Sequence, residues 1–164
     1  MSVFTKSLFG LALILSWAVL LVPELRAESM MAMSGSGSAL QIPAMDVLQP
    51  EALSAQLGDK SRRPLLLHVG SHMMYAQAHI PGSEYIGPGS QPSGIEALRK
   101  RAALIGKNQS VVLYCGCCPW ERCPNLAPAY ALLKSLGIKV KVLAIAQNFG
   151  ADWVAKGYPV ERGE

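Results

Sequence analysis

Cysteine is missing from all but one short stretch of this 164-residue chain: Cys115, Cys117, Cys118 and Cys123 are the only four. A disulfide framework that staples the whole fold is therefore excluded, and the core must come from apolar packing, for which a 51% hydrophobic composition is ample. Strong charge is missing too. The net charge is +4, and the basic residues are scattered as Arg62-Arg63, Arg99 to Arg101, and Lys139 with Lys141. That pattern reads as solvated surface and argues against a nucleic-acid partner. Nothing in the length or composition calls for a second domain.

The longest apolar run, Leu8 to Val22, is interrupted only by Gly10 and Ser16 and preceded by Lys6. It falls short of the ~20 residues that span a bilayer. Leu25-Arg26-Ala27 follows it and ends in a small residue acceptable to a signal peptidase. Residues 1–27 are expected to be a signal peptide or, if uncleaved, an N-terminal anchor that is the only route to a membrane association. Either reading places the protein in the periplasm or otherwise outside the cytoplasm. Cleavage would leave thirteen basic and ten acidic residues, a net charge of +3. Residues 28–41 are mostly Met, Ser, Gly and Ala without periodicity and read as a flexible leader. Met30, Met31 and Met33 are thioethers of the kind that suit Cu(I), but three alone do not call for a cofactor.

From residue 42 onward short apolar runs alternate with helical patterns. Helices are predicted at Pro50 to Leu57, Met73 to Ala78, Ile95 to Ile105, Leu126 to Leu136 and Ala151 to Lys156. Strands are predicted at Leu65 to Val69, Tyr85-Ile86, Val111 to Tyr114 and Lys139 to Ile145. Gly87 to Gly94 reads as loop. Strands separated by helices imply an α/β fold with a parallel sheet, and active groups in such sheets sit at the carboxyl ends of the strands. Cys115 directly follows the doubly apolar run Val111 to Tyr114, in a loop that feeds the next helix. A thiol held there is expected to face solvent near backbone N–H groups that favour the thiolate.

Four stretches resemble the rhodanese-like sulfurtransferases: Leu66 to Gly70; Ala78-His79-Ile80-Pro81-Gly82-Ser83; Val111 to Cys115; and Trp153 with Gly157-Tyr158-Pro159-Val160. They run in order from about residue 45 to 162. The resemblance implies a single domain over 42–164, a parallel sheet with helices on both faces. It also implies transfer of a sulfane sulfur from a small donor such as thiosulfate to a thiol or other acceptor, through a persulfide on Cys115. No cofactor is required. His79 would fix a turn within its motif. Against the family pattern, the Cys115 to Asn125 loop is longer, His68 replaces Asp, Gly70 replaces Arg, and Ala146 to Gly150 replaces a Gly-Gly turn.

The rest of the cysteine window is open to several readings. Cys115 and Cys118 form a C-x-x-C pair, so a neighbouring thiol could attack a persulfide on Cys115 and leave a disulfide. Cys118 with Cys123 could instead be a structural disulfide pinning the loop. Cys115, Cys117, Cys118 and Cys123 could together hold a metal, although the spacing lacks the paired C-x2-C knuckles of structural zinc. The alternative function is accordingly a thiol-disulfide or metal-binding module on the same fold. Pro119, Pro124 and Pro128 lack N–H donors, so Arg122 is a candidate side-chain donor to a bound thiosulfonate, or else a partner for Glu121. Trp120 either shields the thiol, meets a partner or anchors the loop. His68 and His72 lie at the sheet edge that carries Cys115.

Overall fold

A computed structural model describes residues 41–163, apart from 60 and 62. The expected signal or anchor at 1–27, and all of the expected leader except Gln41, lie outside the described residues. No helix among the described residues is long and apolar enough to cross a membrane.

Five strands form one wholly parallel sheet: β1 (Val47–Leu48), β2 (Leu65–His68), β3 (Glu84–Tyr85), β4 (Val111–Tyr114) and β5 (Val140–Leu143), in the order β1-β5-β4-β2-β3. β4 is the central strand. It pairs along its whole length with β2, Leu65 to Val111 through His68 to Tyr114, and all four of its residues are buried. Its apolar, partly β-branched sequence is what a strand covered on both faces requires.

Alternation along β4 divides the core in two. Val111, Leu113 and Cys115 pack with Leu67 and Val69 beneath α3 (Pro92–Ala102) and α4 (Leu126–Ser135). Val112 and Tyr114 pack on the opposite face with Leu53 of α1 (Pro50–Leu57), Ile80, Phe149 and Trp153. The helices thus cover both faces, as expected. The short α2 (His72–Gln77) contributes buried Tyr75.

Several boundaries differ from the sequence expectation. α3 begins at Pro92, inside the expected loop, because proline suits the first helical turn. Gly94 is required there, since a Cβ would lie 2.1 Å from the Pro88 carbonyl oxygen. The helix stops at Ala102, and residues 103–105 continue in tight turns. The expected helix at Ala151 to Lys156 is a π-helical turn over Gly150–Val154, where the Asp152 carboxylate accepts the Gln147 N–H and Asn148 Oδ1 accepts the Ala151 N–H. β1, together with a 3-10 turn at Ala44–Asp46, was not expected at all.

The Ala78 to Ser83 motif is tied to β4 through one phenol. Buried Tyr114 receives the Ile80 N–H at 3.1 Å and shares a hydrogen bond with Ser83 Oγ at 2.7 Å. His79 stacks on Tyr75 with ring centroids 3.9 Å apart, and its Nδ1 lies 2.8 Å from the Tyr75 carbonyl oxygen. It is a buried turn-fixing residue, as its motif implies. Tyr114→Phe strands the buried Ile80 N–H and Ser83 hydroxyl, so urea denaturation should show a loss of ~1–3 kcal/mol with an unchanged m-value.

Candidate functional site

Cys115 is the residue after the central strand, and the pleat sends its side chain to the α3 and α4 face. The solvent-facing thiol expected from the sequence is corrected here: Cys115 is 2% exposed. The long loop is the reason. Its chain turns back over the strand end through Gly116 (φ 85°), where a Cβ would come within 2.7 Å of Phe149 Cβ. Phe149 donates its N–H to the Gly116 carbonyl at 2.9 Å, and Trp120 donates its N–H to Ile145 at 2.8 Å. Trp120 is therefore a loop anchor, half-buried at the head of a 3-10 turn (Trp120–Arg122) that returns the chain to α4.

The sulfur of Cys115 sits among hydrogen-bond donors. The Cys123 thiol donates to it, and this is the main reason its pKa falls to about 6; burial opposes the shift, and the Cys117 N–H, Asn125 and the Cys117 thiol add to it. Asn125 Nδ2 lies 3.4 Å from the sulfur. Stabilising a thiolate by several directed donors is what a buried nucleophile needs, because desolvation alone would keep it protonated. The neighbours move the other way. Although the Cys117 residue is exposed, partial desolvation of its sulfur, with the contacts to Cys118 and Cys115, raises its pKa to about 12, and donation to Cys115 raises that of Cys123. The lowered pKa thus falls on Cys115 and the raised ones on its two thiol neighbours.

All four cysteines are free. Cys117 Sγ is 3.3 Å from Cys115, 3.2 Å from Cys118 and 3.9 Å from Cys123. Exposed Cys117 is the hub of the cluster. Cys123 is approached by Cys115 and Cys117, whereas Cys118 touches Cys117. The thiols of Cys115, Cys117 and Cys123 all lie within 4.8 Å of one another and have the chemistry to hold a thiophilic ion. Arg122 is exposed, and the polar neighbours of the Cys115 sulfur include Asn125, Cys117 and Cys123.

Three supporting residues escaped the sequence reading. Asn125 stands at the N-cap of α4 yet makes no side-chain cap. Its Oδ1 instead accepts from the Ser90 N–H and hydroxyl at 3.1 and 2.8 Å, which aims its amide at Cys115. An Asn before an apolar helix reads as a cap in sequence, so nothing signalled this use. Gly70 was noted only as a departure from Arg. A Cβ there would lie 2.8 Å from Cys115 Sγ and 2.9 Å from His68 Cε1, so this site has no room for a side chain.

His68 reaches the backbone of Cys115 and not its thiol. Burial lowers its pKa to about 4, leaving it neutral. Nε2 donates to the Cys115 carbonyl at 2.9 Å, and Nδ1 accepts the Gly70 N–H at 3.4 Å. His72 packs edge-on against Tyr85. A cleft of about 550 Å³ opens beside this strand end, lined by His68, Cys115, Gly116, Phe149 and Arg162 among others.

Mass-mapped alkylation of Cys115 should rise with pH through a midpoint near 6, the thiolate being the reactive form. In Asn125→Ala the midpoint moves upward, because one donor to the thiolate is gone. Gly70→Ala forces Cys115 or His68 to move and should cost ~1–3 kcal/mol in urea denaturation, with an altered alkylation rate at Cys115.

The rhodanese-like domain family matches residues 49–145. Among curated proteins none matches the chain. Several solved structures are similar. A Bacillus halodurans protein is 22% identical, with a TM-score of 0.54, covering 70% of this chain and 75% of that one. The rhodanese-like domain of an Anabaena protein is 24% identical, with a TM-score of 0.51, covering 71% and 79%. A thiosulfate sulfurtransferase from Pseudomonas aeruginosa is 29% identical, with a TM-score of 0.52, covering 73% of this chain but only 20% of its own. With its parallel sheet, its buried cysteine at the end of the central strand and a family match across most of the folded region, the chain belongs to the rhodanese-like domain family.

Proposed function

We propose that the protein is an exported sulfurtransferase that carries a sulfane sulfur on Cys115. The observation that carries this reading is the environment of Cys115: a buried sulfur at the end of the central strand, with Asn125 Nδ2 at 3.4 Å and a pKa lowered to about 6 by the Cys123 thiol, the Cys117 N–H and Asn125. The same donors suit a persulfide, which is also an anion. The apolar segment at residues 8–22 supports export.

In the loading step the Cys115 thiolate attacks the outer sulfur of a donor such as thiosulfate. A new S–S bond forms on Cys115, the donor S–S bond breaks, and sulfite leaves with the electron pair. In the unloading step a thiolate acceptor attacks the outer sulfur of the persulfide. The acceptor becomes the persulfide and the Cys115 thiolate is released. A thiol with a lowered pKa is a good leaving group for this second step. Exposed Cys117, which covers Cys115, must turn aside to admit either substrate.

The 3.3 Å Cys115–Cys117 contact favours a second outcome on the same site. Attack by the Cys117 thiol on the inner sulfur would form a Cys115–Cys117 disulfide and expel hydrosulfide. The protein would then act as a thiol-disulfide module that an external thiol must reduce.

Intact mass after thiosulfate treatment separates the two. A gain of ~32 Da on Cys115, lost on reduction and absent in Cys115→Ser, is expected of the carrier, and Cys118→Ser should retain it. A loss of two hydrogens mapped to Cys115 and Cys117 identifies the disulfide outcome. No change under either condition would sink both.

A further inference from the structure

We propose that Cys115, Cys117 and Cys123 also form a three-thiolate site for Cu(I), separate in its requirements from sulfur transfer. The three sulfurs lie within 4.8 Å of one another, with Cys117 at 3.3 Å from Cys115 and 3.9 Å from Cys123. With metal–sulfur bonds of about 2.3 Å, three ligands in a trigonal plane stand ~4 Å apart, so the closest pair needs to open only slightly. The ligand that must shift is Cys117, the exposed member of the set. The other two are buried and fixed by backbone, Cys115 at the end of β4 and Cys123 where the 3-10 turn meets α4.

The donor set selects the ion. The group consists of sulfur ligands alone, with no His, Asp or Glu in it. Thiolates favour soft cations, and three-coordination suits Cu(I), whereas structural zinc closes a tetrahedron with four protein ligands. Cys118 is the obvious fourth, but it stands next to Cys117 in the chain, its sulfur touches Cys117 at 3.2 Å, and it lies outside the three-sulfur group. Asn125 Nδ2, 3.4 Å from the Cys115 sulfur and itself held by Ser90, orients that ligand from outside the coordination shell. Binding is coordinative. Copper stays Cu(I), and any thiol still protonated gives its proton to solvent.

A bound ion occupies the sulfur that would attack a donor, so metal and sulfane sulfur exclude one another at Cys115. Their requirements differ elsewhere: transfer needs Cys115 above all, and the metal needs all three thiols.

The test titrates the reduced full chain anaerobically with Cu(I), supplied as its acetonitrile complex, against a chromophoric Cu(I) chelator. One ion per chain is expected, with X-ray absorption showing three sulfur neighbours. Cys117→Ser and Cys123→Ser should each weaken binding by about tenfold or more, and Cys123→Ser, which removes the main donor to the Cys115 sulfur, should also slow persulfide loading from thiosulfate. Cys118→Ser, outside the three-sulfur group, should leave the Cu(I) affinity unchanged. Circular dichroism of each variant checks that it is folded, and the spectrum of the unsubstituted protein stands even if one variant is not. The absence of 1:1 binding, a four-sulfur or Zn(II)-preferring site, or equal losses from Cys118→Ser and Cys117→Ser would overturn the proposal. Intact Cu(I) binding with no persulfide on Cys115 would defeat the sulfurtransferase reading and leave this one standing.

Discussion

The burial of β4 on both faces is the constraint from which the rest of the molecule follows. A strand flanked by β2 and β5 and covered by helices above and below has no solvent-facing side, so each of its side chains must belong to one of two cores. Leu113 and Cys115 go to the α3 and α4 side, and Tyr114 goes to the Trp153 side. That single alternation puts the thiol beneath the cysteine loop. It also puts the phenol where it can receive the Ile80 N–H and pair with Ser83, so the turn motif and the candidate site are joined through one strand end.

The unusual feature of the site is that a buried sulfur carries the lowered pKa. Burial by itself pushes a thiol upward. At Cys115 directed donors outweigh it: a thiol from the end of the 3-10 turn, a backbone N–H two residues on, and an amide aimed by Ser90. From the backbone of the lengthened, proline-containing loop the Cys117 N–H reaches the Cys115 sulfur. The loop also brings side-chain thiols to the same place. This combination gives the site its dual character, since thiols that stabilise an anion by donating hydrogen bonds become metal ligands once they are deprotonated.

Neutral His68 and Gly70 complete the arrangement from beneath. His68 holds the Cys115 carbonyl and takes the Gly70 N–H, while the missing Cβ of Gly70 leaves space for the sulfur. These two positions replace an Asp and an Arg in the resembled family. The replacement is coherent: a neutral ring and a hydrogen side chain pack around a buried thiolate without adding a competing charge or bulk.

Much of the fold was legible in the sequence because period and punctuation are local. Val111 to Tyr114 and Pro50 to Leu57 matched their strand and helix to the residue, since an apolar run bounded by Ser110 and the cysteine loop, or a proline-started segment ending at Gly58, has one reading. Two-residue β1 left no periodic trace, and the π-helical turn at Gly150 arises from side-chain oxygens of Asn148 and Asp152 that no pattern records. The place of Cys115 at the end of the central strand was legible because it follows a doubly apolar run. Its burial, the choice of Cys117 as the hub, and the diversion of Asn125 from capping to the thiol were decided by the tertiary structure. Each depends on how a long loop folds back over the end of the sheet, and contacts between residues as distant in sequence as Ser90, Asn125 and Phe149 leave no spacing to read.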